Sequence, residues 1–95
     1  MEKEKNILIK KYLNGEKNGY IKKYDKGTGK LILEGVYSNG EKNGYIKEYD
    51  ENGNLILEGD YLNGEKNGLI KEFNRYGKIL FEGYYIKGER NGKGK

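Results

Sequence analysis

Cysteine, histidine, tryptophan and proline are all absent from the chain. Without cysteine there is neither a disulfide framework nor a thiolate ligand for a metal ion. Ser38 is the only serine and Thr28 the only threonine, so the common pairs of nucleophile and base cannot be assembled. No aspartate-rich loop has the spacing of a calcium site either. These absences predict a protein that is not an enzyme and that needs no cofactor and no metal.

Long apolar runs are absent as well. Near the start of the chain only Ile7, Leu8 and Ile9 follow one another. A secretory signal needs a longer apolar segment than this, and a membrane-spanning helix needs about 18 residues. The sequence therefore predicts a cytoplasmic protein.

The apolar content is low, because 34% of the residues are hydrophobic and 36% are charged. Such a composition approaches that of disordered chains, which bury too little apolar surface to offset the entropy lost on folding. The ten tyrosines and two phenylalanines argue against disorder, since they recur at regular positions. A chain this polar and this regular favours one layer of β-sheet over a two-layer core.

The sequence repeats itself along most of its length. A central copy spans residues 39–62, similar copies span residues 14–38 and 63–86, and partial units lie at residues 7–13 and 87–95. Copies that begin at Asn14, Asn39, Asn63 and Lys87 give periods of 25, 24 and 24 residues. Periods between about 20 and 50 residues are typical of stacked arrays. We predict one repeat domain over residues 1–95, which is either a complete protein or a piece of a longer array.

Each copy contains two short segments of alternating polarity, flanked by asparagine and glycine, which is the pattern of β-strands. In the central copy these segments are residues 45–49 and 55–61. Residues 50–54 predict a type I turn with Gly53 in the left-handed region, and residues 39–44 predict a tight reversal between copies. The predicted fold is all-β: a single-layer, twisted antiparallel meander of β-hairpin repeats with 7–8 strands.

The register within each hairpin decides which residues share a face. A three-residue inner loop pairs Tyr49 with Leu55, and regular pairing from there places Tyr45 opposite Gly59. The prediction is an aromatic face on which rings cover the structural glycines Gly35, Gly59 and Gly83. The candidate partner-binding residues on this face are Tyr20, Lys22, Tyr24, Tyr37, Tyr45, Lys47, Tyr49, Tyr61, Lys71, Phe73 and Tyr85.

The repeat resembles the MORN family, in its short bacterial-type variant, over residues 13–95. The similarity lies in Gly40-x-x-Asn43-Gly44, in the turn glycine Gly53, and in residues 57–61, Leu-Glu-Gly-Asp-Tyr, which resemble the Tyr-x-Gly-x-Trp/Tyr signature. One departure is Ile46, where many members carry a second glycine. The resemblance implies a single-layered sheet that acts as a scaffold or adaptor. Relatives are linked to protein partners, self-association, membrane phospholipids and, in bacteria, antitoxin-like roles.

The charge distribution limits the class of partner. Residues 1–35 and residues 63–95 each carry a net charge of +4, whereas residues 36–62 carry −4, so no continuous basic stripe for nucleic acid exists. The leading hypothesis is a non-enzymatic scaffold that binds a protein through the aromatic and lysine-lined face. Two alternatives remain open: a homo-oligomer paired through its edge strands, such as the segment at residues 7–13, and weak peripheral attachment to anionic membranes.

Overall fold

The computed structural model describes residues 12–13 and 16–90, and all of its regular elements are strands. The predicted edge strand at residues 7–13 lies outside the described residues except for its last two positions, and the partial unit at residues 87–95 is described as far as Arg90. The strands are β1 Tyr12–Leu13, β2 Glu16–Lys17, β3 Gly19–Tyr24, β4 Leu31–Ser38, β5 Glu41–Tyr49, β6 Leu55–Leu62, β7 Glu65–Phe73, β8 Ile79–Ile86 and β9 Glu89–Arg90.

The strands form an antiparallel meander. β3 to β9 lie in one seven-stranded sheet in the order of the chain, and β1 pairs with β2 beside it. The Cα atoms extend over 44 × 31 × 14 Å, and the smallest dimension is that of a single twisted layer. The predicted fold class, an all-β single-layer meander of hairpins, is confirmed.

The turns inside the hairpins form as predicted. In residues 50–54 the amide of Gly53 donates to the carbonyl oxygen of Asp50 at 3.0 Å, and Gly53 has a φ of +90°. The Asp50 carboxylate accepts hydrogen bonds from the amides of Asn52 and Asn54, each at 2.9 Å. An aspartate that bonds its own turn in this way fixes the loop without help from the rest of the fold.

The turns between the hairpins are shorter than predicted. Asn39 and Gly40 have φ values of +52° and +82°, which makes them the two central residues of a type I′ turn. The second asparagine-glycine pair of the hexapeptide lies inside strand β5. There the side-chain oxygen of Asn43 accepts a hydrogen bond from the backbone amide of Asn63 at 3.0 Å. The asparagine of one copy thus supports the turn that begins the next copy.

The predicted register is wrong beyond the first pair of each hairpin. Tyr49 does pair with Leu55, but Ile56 forms a bulge, so Ile46 rather than Tyr45 lies opposite Gly59. One inserted residue moves every later side chain of β6 to the other face of the sheet. The bulge is favoured because it places Leu57, Gly59 and Tyr61 on the same face as Ile46, where these residues are buried. The other two hairpins carry the same bulge, at Ile32 and Leu80.

A row of alternating isoleucine and glycine forms the centre of the fold. Ile46 lies opposite Gly35 on β4 and Gly59 on β6, and it is fully buried even though the sheet has a single layer. The glycines leave room for the isoleucine side chains to lie flat over the neighbouring backbone. We call this side the core face, and its buried members are Ile21, Leu33, Gly35, Tyr37, Ile46, Leu57, Gly59, Tyr61, Ile70, Gly83 and Tyr85.

The close approach at Gly59 makes a testable prediction. A Cβ atom there would lie 2.5 Å from the carbonyl oxygen of Leu69 and 2.9 Å from the Cα of Ile70. Gly59→Ala should therefore lower the free energy of unfolding by about 1–3 kcal/mol through overpacking, measured by urea denaturation followed by circular dichroism. The control is Gly27→Ala, because the nearest heavy atom to a Cβ there is Asp25 Oδ2, at 3.3 Å. Equal unfolding midpoints for the two variants would contradict the isoleucine–glycine packing.

Candidate functional site

The face opposite the core carries a line of alternating charges. The first strand of each hairpin contributes a lysine and the second a glutamate, and the register places each of them directly beside the next across the sheet. We call this line the charge ladder and this side the ladder face. The charge ladder consists of Lys22, Glu34, Lys47, Glu58, Lys71 and Glu82. Opposite charges on adjacent strands favour this register, whereas like charges would oppose it.

Two rows of mainly apolar and aromatic side chains flank the charge ladder. The row nearer the inter-repeat turns is Tyr20, Val36, Tyr45, Asp60, Leu69 and Tyr84. The row nearer the inner loops is Tyr24, Leu31, Tyr49, Leu55, Phe73 and Ile79. Several members are well exposed, with 47% of Tyr20 and Tyr45 and 53% of Tyr84 and Ile79 open to solvent. The ladder face thus presents aromatic surface to solvent.

Glutamates of the charge ladder hold some of these rings in place. Glu34 accepts the hydroxyl of Tyr20 at 2.8 Å and the hydroxyl of Tyr49 at 2.6 Å, so one carboxylate ties together rings from the strands on both sides. Burial and this hydrogen bond raise the pKa of Tyr49, and the hydrogen bond from Tyr49 lowers the pKa of Glu34. Burial, followed by the neighbouring Glu58, raises the pKa of Tyr45 to about 12.

The rim of the core face carries a different polar network. Lys42 Nζ lies 2.9 Å from Glu48 Oε2 and 4.9 Å from the ring centroid of Tyr61, whose hydroxyl donates to Glu48 at 3.3 Å. The next copy repeats the arrangement with Lys66 and Glu72, which are 3.5 Å apart. Burial, then the charge of Glu48, raises the pKa of Tyr61. These contacts give the tyrosines of the core face a structural role.

The structure divides the predicted partner-binding residues between the two faces. Tyr37, Tyr61 and Tyr85 lie on the core face with at most 8% of their surface exposed, so the prediction that all candidates share one face is wrong for these three. The cause is the bulge, which turns the later side chains of the second strand of each hairpin to the opposite face of the sheet. The candidates on the ladder face are Tyr20, Lys22, Tyr24, Tyr45, Lys47, Tyr49, Lys71 and Phe73.

The predicted register also missed residues that belong to the ladder face. Glu34, Val36 and Tyr84 lie there, although the predicted register placed them on the other face. A signal was present in the sequence. Three consecutive apolar residues at 31–33, 55–57 and 79–81 break the alternation of a regular strand, and such a break indicates a bulge.

Other kinds of site have little support in the described part of the chain. A cavity of about 270 Å³ opens between two inner loops and is lined by Asn54, Leu55, Phe73, Arg75, Tyr76 and Gly77. Among the residues that the structure describes, no cluster of acidic side chains could hold a metal ion. No helix in this part of the chain is long and apolar enough to cross a membrane.

Comparisons with known proteins assign no family to the chain. No family model matches the sequence, and no curated protein matches it. The resemblance to MORN repeats therefore rests on the glycine, asparagine and tyrosine positions of the repeat itself, and it enters the proposed function as a proposal.

The tyrosine contacts of Glu34 predict a pH dependence of stability. Because the pKa of Glu34 is lower in the folded chain than its ordinary value of 4.5, its contribution is complete above that pH. The contribution is lost as the pH falls through the lower, folded value. Glu34→Gln should therefore flatten the fall of the unfolding free energy below pH 4.5, measured by denaturant titration at several pH values. Glu51→Gln, in an exposed loop, is the control, and an equal flattening there would contradict the role of Glu34.

Proposed function

We propose that the chain is a non-enzymatic, MORN-like repeat scaffold that binds a protein partner through its ladder face. The observation that carries the proposal is the exposed row of apolar and aromatic residues nearer the inter-repeat turns, which lies across the charge ladder from a mostly half-buried row. Contiguous exposed apolar surface with a polar component is typical of interaction sites, and tyrosine is enriched among the residues that contribute most to binding.

The use of the two faces supports this choice of surface. A single-layer sheet can bury one face with its own side chains, and here the isoleucine–glycine row occupies the core face. The ladder face keeps its rings partly open to solvent. Hydrogen bonds to Glu34 restrict Tyr20 and Tyr49 before any partner arrives, which reduces the entropy that binding would cost.

The charge ladder favours a protein over a nucleic acid or a membrane. Lysine and glutamate alternate along the charge ladder, so the ladder does not offer phosphate groups a field of one sign. Lysine stems can also cover neighbouring apolar surface while their ammonium groups stay in water. Pairing through the ends of the array stays an alternative proposal, as does an antitoxin-like role in the cytoplasm.

Photo-crosslinking tests the proposed surface. A photoreactive phenylalanine analogue at Tyr45, which is 47% exposed on the ladder face, should crosslink to a protein in cells of the source organism. The same analogue at Tyr76 is the matched control, since Tyr76 is a tyrosine that is 76% exposed but lies in an inner loop. The crosslinked protein is identified by mass spectrometry and then titrated with purified chain.

The titration decides whether the ladder face is the binding site. Tyr45→Ala should weaken the affinity for the identified protein at least about tenfold, which is the effect of losing one important contact. Tyr76→Ala should leave the affinity unchanged. Equal crosslinking from both positions, or equal affinities of both variants, would overturn the proposal.

Binding to lipid vesicles tests the membrane alternative. Because the charges of the ladder face alternate, the intact chain should bind anionic phosphatidylserine vesicles only weakly at low salt, and the binding should disappear at physiological ionic strength. Neutral phosphatidylcholine vesicles are the control, and co-sedimentation measures the bound fraction. Strong binding to anionic vesicles at physiological salt would favour the membrane alternative over a protein partner.

A further inference from the structure

The charge ladder has a symmetry that follows from its even number of members. It begins with Lys22 on β3 and ends with Glu82 on β8, with strict alternation between them. Reading the line from either end therefore gives opposite charges at matching positions. A surface with this property is complementary to a copy of itself that has been turned end for end.

A two-fold axis parallel to the strands produces this arrangement. When two ladder faces meet around such an axis, β3 of one copy lies over β8 of the other, β4 over β7, and β5 over β6. Lys22 then faces Glu82 of the second copy, Glu34 faces Lys71, and Lys47 faces Glu58. An axis along the charge ladder would instead place every charge over itself, so only the first axis is electrostatically favourable.

The flanking rows match under the same operation. In the row nearer the inter-repeat turns, Tyr20 lies over Tyr84 of the second copy and Val36 lies over Leu69. Tyr45 lies over Asp60, a carboxylate that can accept a hydrogen bond from the tyrosine hydroxyl. In the row nearer the inner loops, aromatic residues meet aliphatic ones throughout. The charge ladder and the two flanking rows thus favour the same arrangement, with the two-fold axis parallel to the strands.

We propose that the ladder face binds a second copy of this chain, forming a two-fold symmetric dimer in which two sheets pack face to face. This inference rests on the proposed function and names the partner. Two sheets that pack in this way keep their strands within about 30° of each other and lie about 10 Å apart. The interface is isologous, as in most homodimers.

The available area fits a reversible dimer. Six strands about 4.8 Å apart and five residues with a rise of about 3.3 Å span roughly 29 × 17 Å, or about 500 Å² on each copy. The two copies together provide about 1,000 Å² before the relief of the side chains is counted, which is the lower limit for a specific interface. The apolar rows supply the affinity, and the charge ladder selects the register, because a shift by one strand brings like charges together.

Charge reversal at the two ends of the charge ladder tests the dimer. Lys22→Glu and Glu82→Lys change exposed residues on β3 and β8, which are at opposite ends of the ladder in one chain but face each other across the proposed interface. Each variant alone places like charges at both contacts. An equimolar mixture of the two variants restores opposite charges at both. Sedimentation velocity of the full-length chains measures the dissociation constant.

The unmodified chain should form a dimer whose affinity rises as salt is lowered. Each single variant should raise the dissociation constant at least about tenfold, since like charges in contact are strongly unfavourable. The mixture should return close to the unmodified value. Lys78→Glu and Glu51→Lys are the matched controls, because they change the net charge equally but lie in exposed loops. Their separate and mixed samples should behave like the unmodified chain.

Three outcomes would overturn the dimer: an unmodified chain that is monomeric at every concentration, a mixture that gains nothing over the single variants, or loop controls that show the same pattern. Circular dichroism of each variant establishes that it is folded. If either variant is unfolded, Lys47→Glu mixed with Glu58→Lys tests the central contact in the same way. If the chain is monomeric but still crosslinks to another protein from position 45, only the dimer is refuted. If position 45 crosslinks neither to a second copy nor to another protein, the proposed function is refuted as well.

Discussion

The packing of isoleucine over glycine is the constraint on which the rest of the structure depends. A single-layer sheet has no second layer to cover its apolar side chains, so they must be covered by their own neighbours. Ile21, Ile46 and Ile70 achieve this because the facing residues have no Cβ, and all three are fully buried. A side chain at Gly35 or Gly59 would collide with backbone atoms of the next strand. The repeat therefore keeps both residue types in register.

Because the isoleucine–glycine packing occupies the core face, the ladder face is left open to solvent. Once the core face holds the apolar row, the alternation of a strand sends lysine and glutamate to the opposite side, where the repeat arranges them into the charge ladder. The tyrosines beside the ladder are partly fixed by its carboxylates and partly exposed. The core and the candidate interface thus both follow from the same repeat period, and the even number of charge-ladder residues is the basis of the proposed self-complementarity of the ladder face.

Local signals explain how much of the fold could be predicted. Asparagine–glycine pairs mark chain reversals because few other residues adopt positive φ, and alternating polarity marks strands. These signals act within a few residues of each other. They were sufficient for an all-β meander with its inner turns correctly placed, including the longer first loop at residues 25–30, which leaves Tyr24 paired with Leu31. The candidate site was predicted only in part, since three of its tyrosines belong to the core.

The sequence by itself determined the repeat, the strands, the inner turns and the single layer. The tertiary structure alone decided which side chains face the core, through the bulges at Ile32, Ile56 and Leu80. A bulge costs local hydrogen bonding and is repaid by burial on strands that are distant in sequence, as when Ile46 settles between Gly35 and Gly59. Three consecutive apolar residues indicate where a bulge can form, but the burial that favours it depends on the strands on both sides at once.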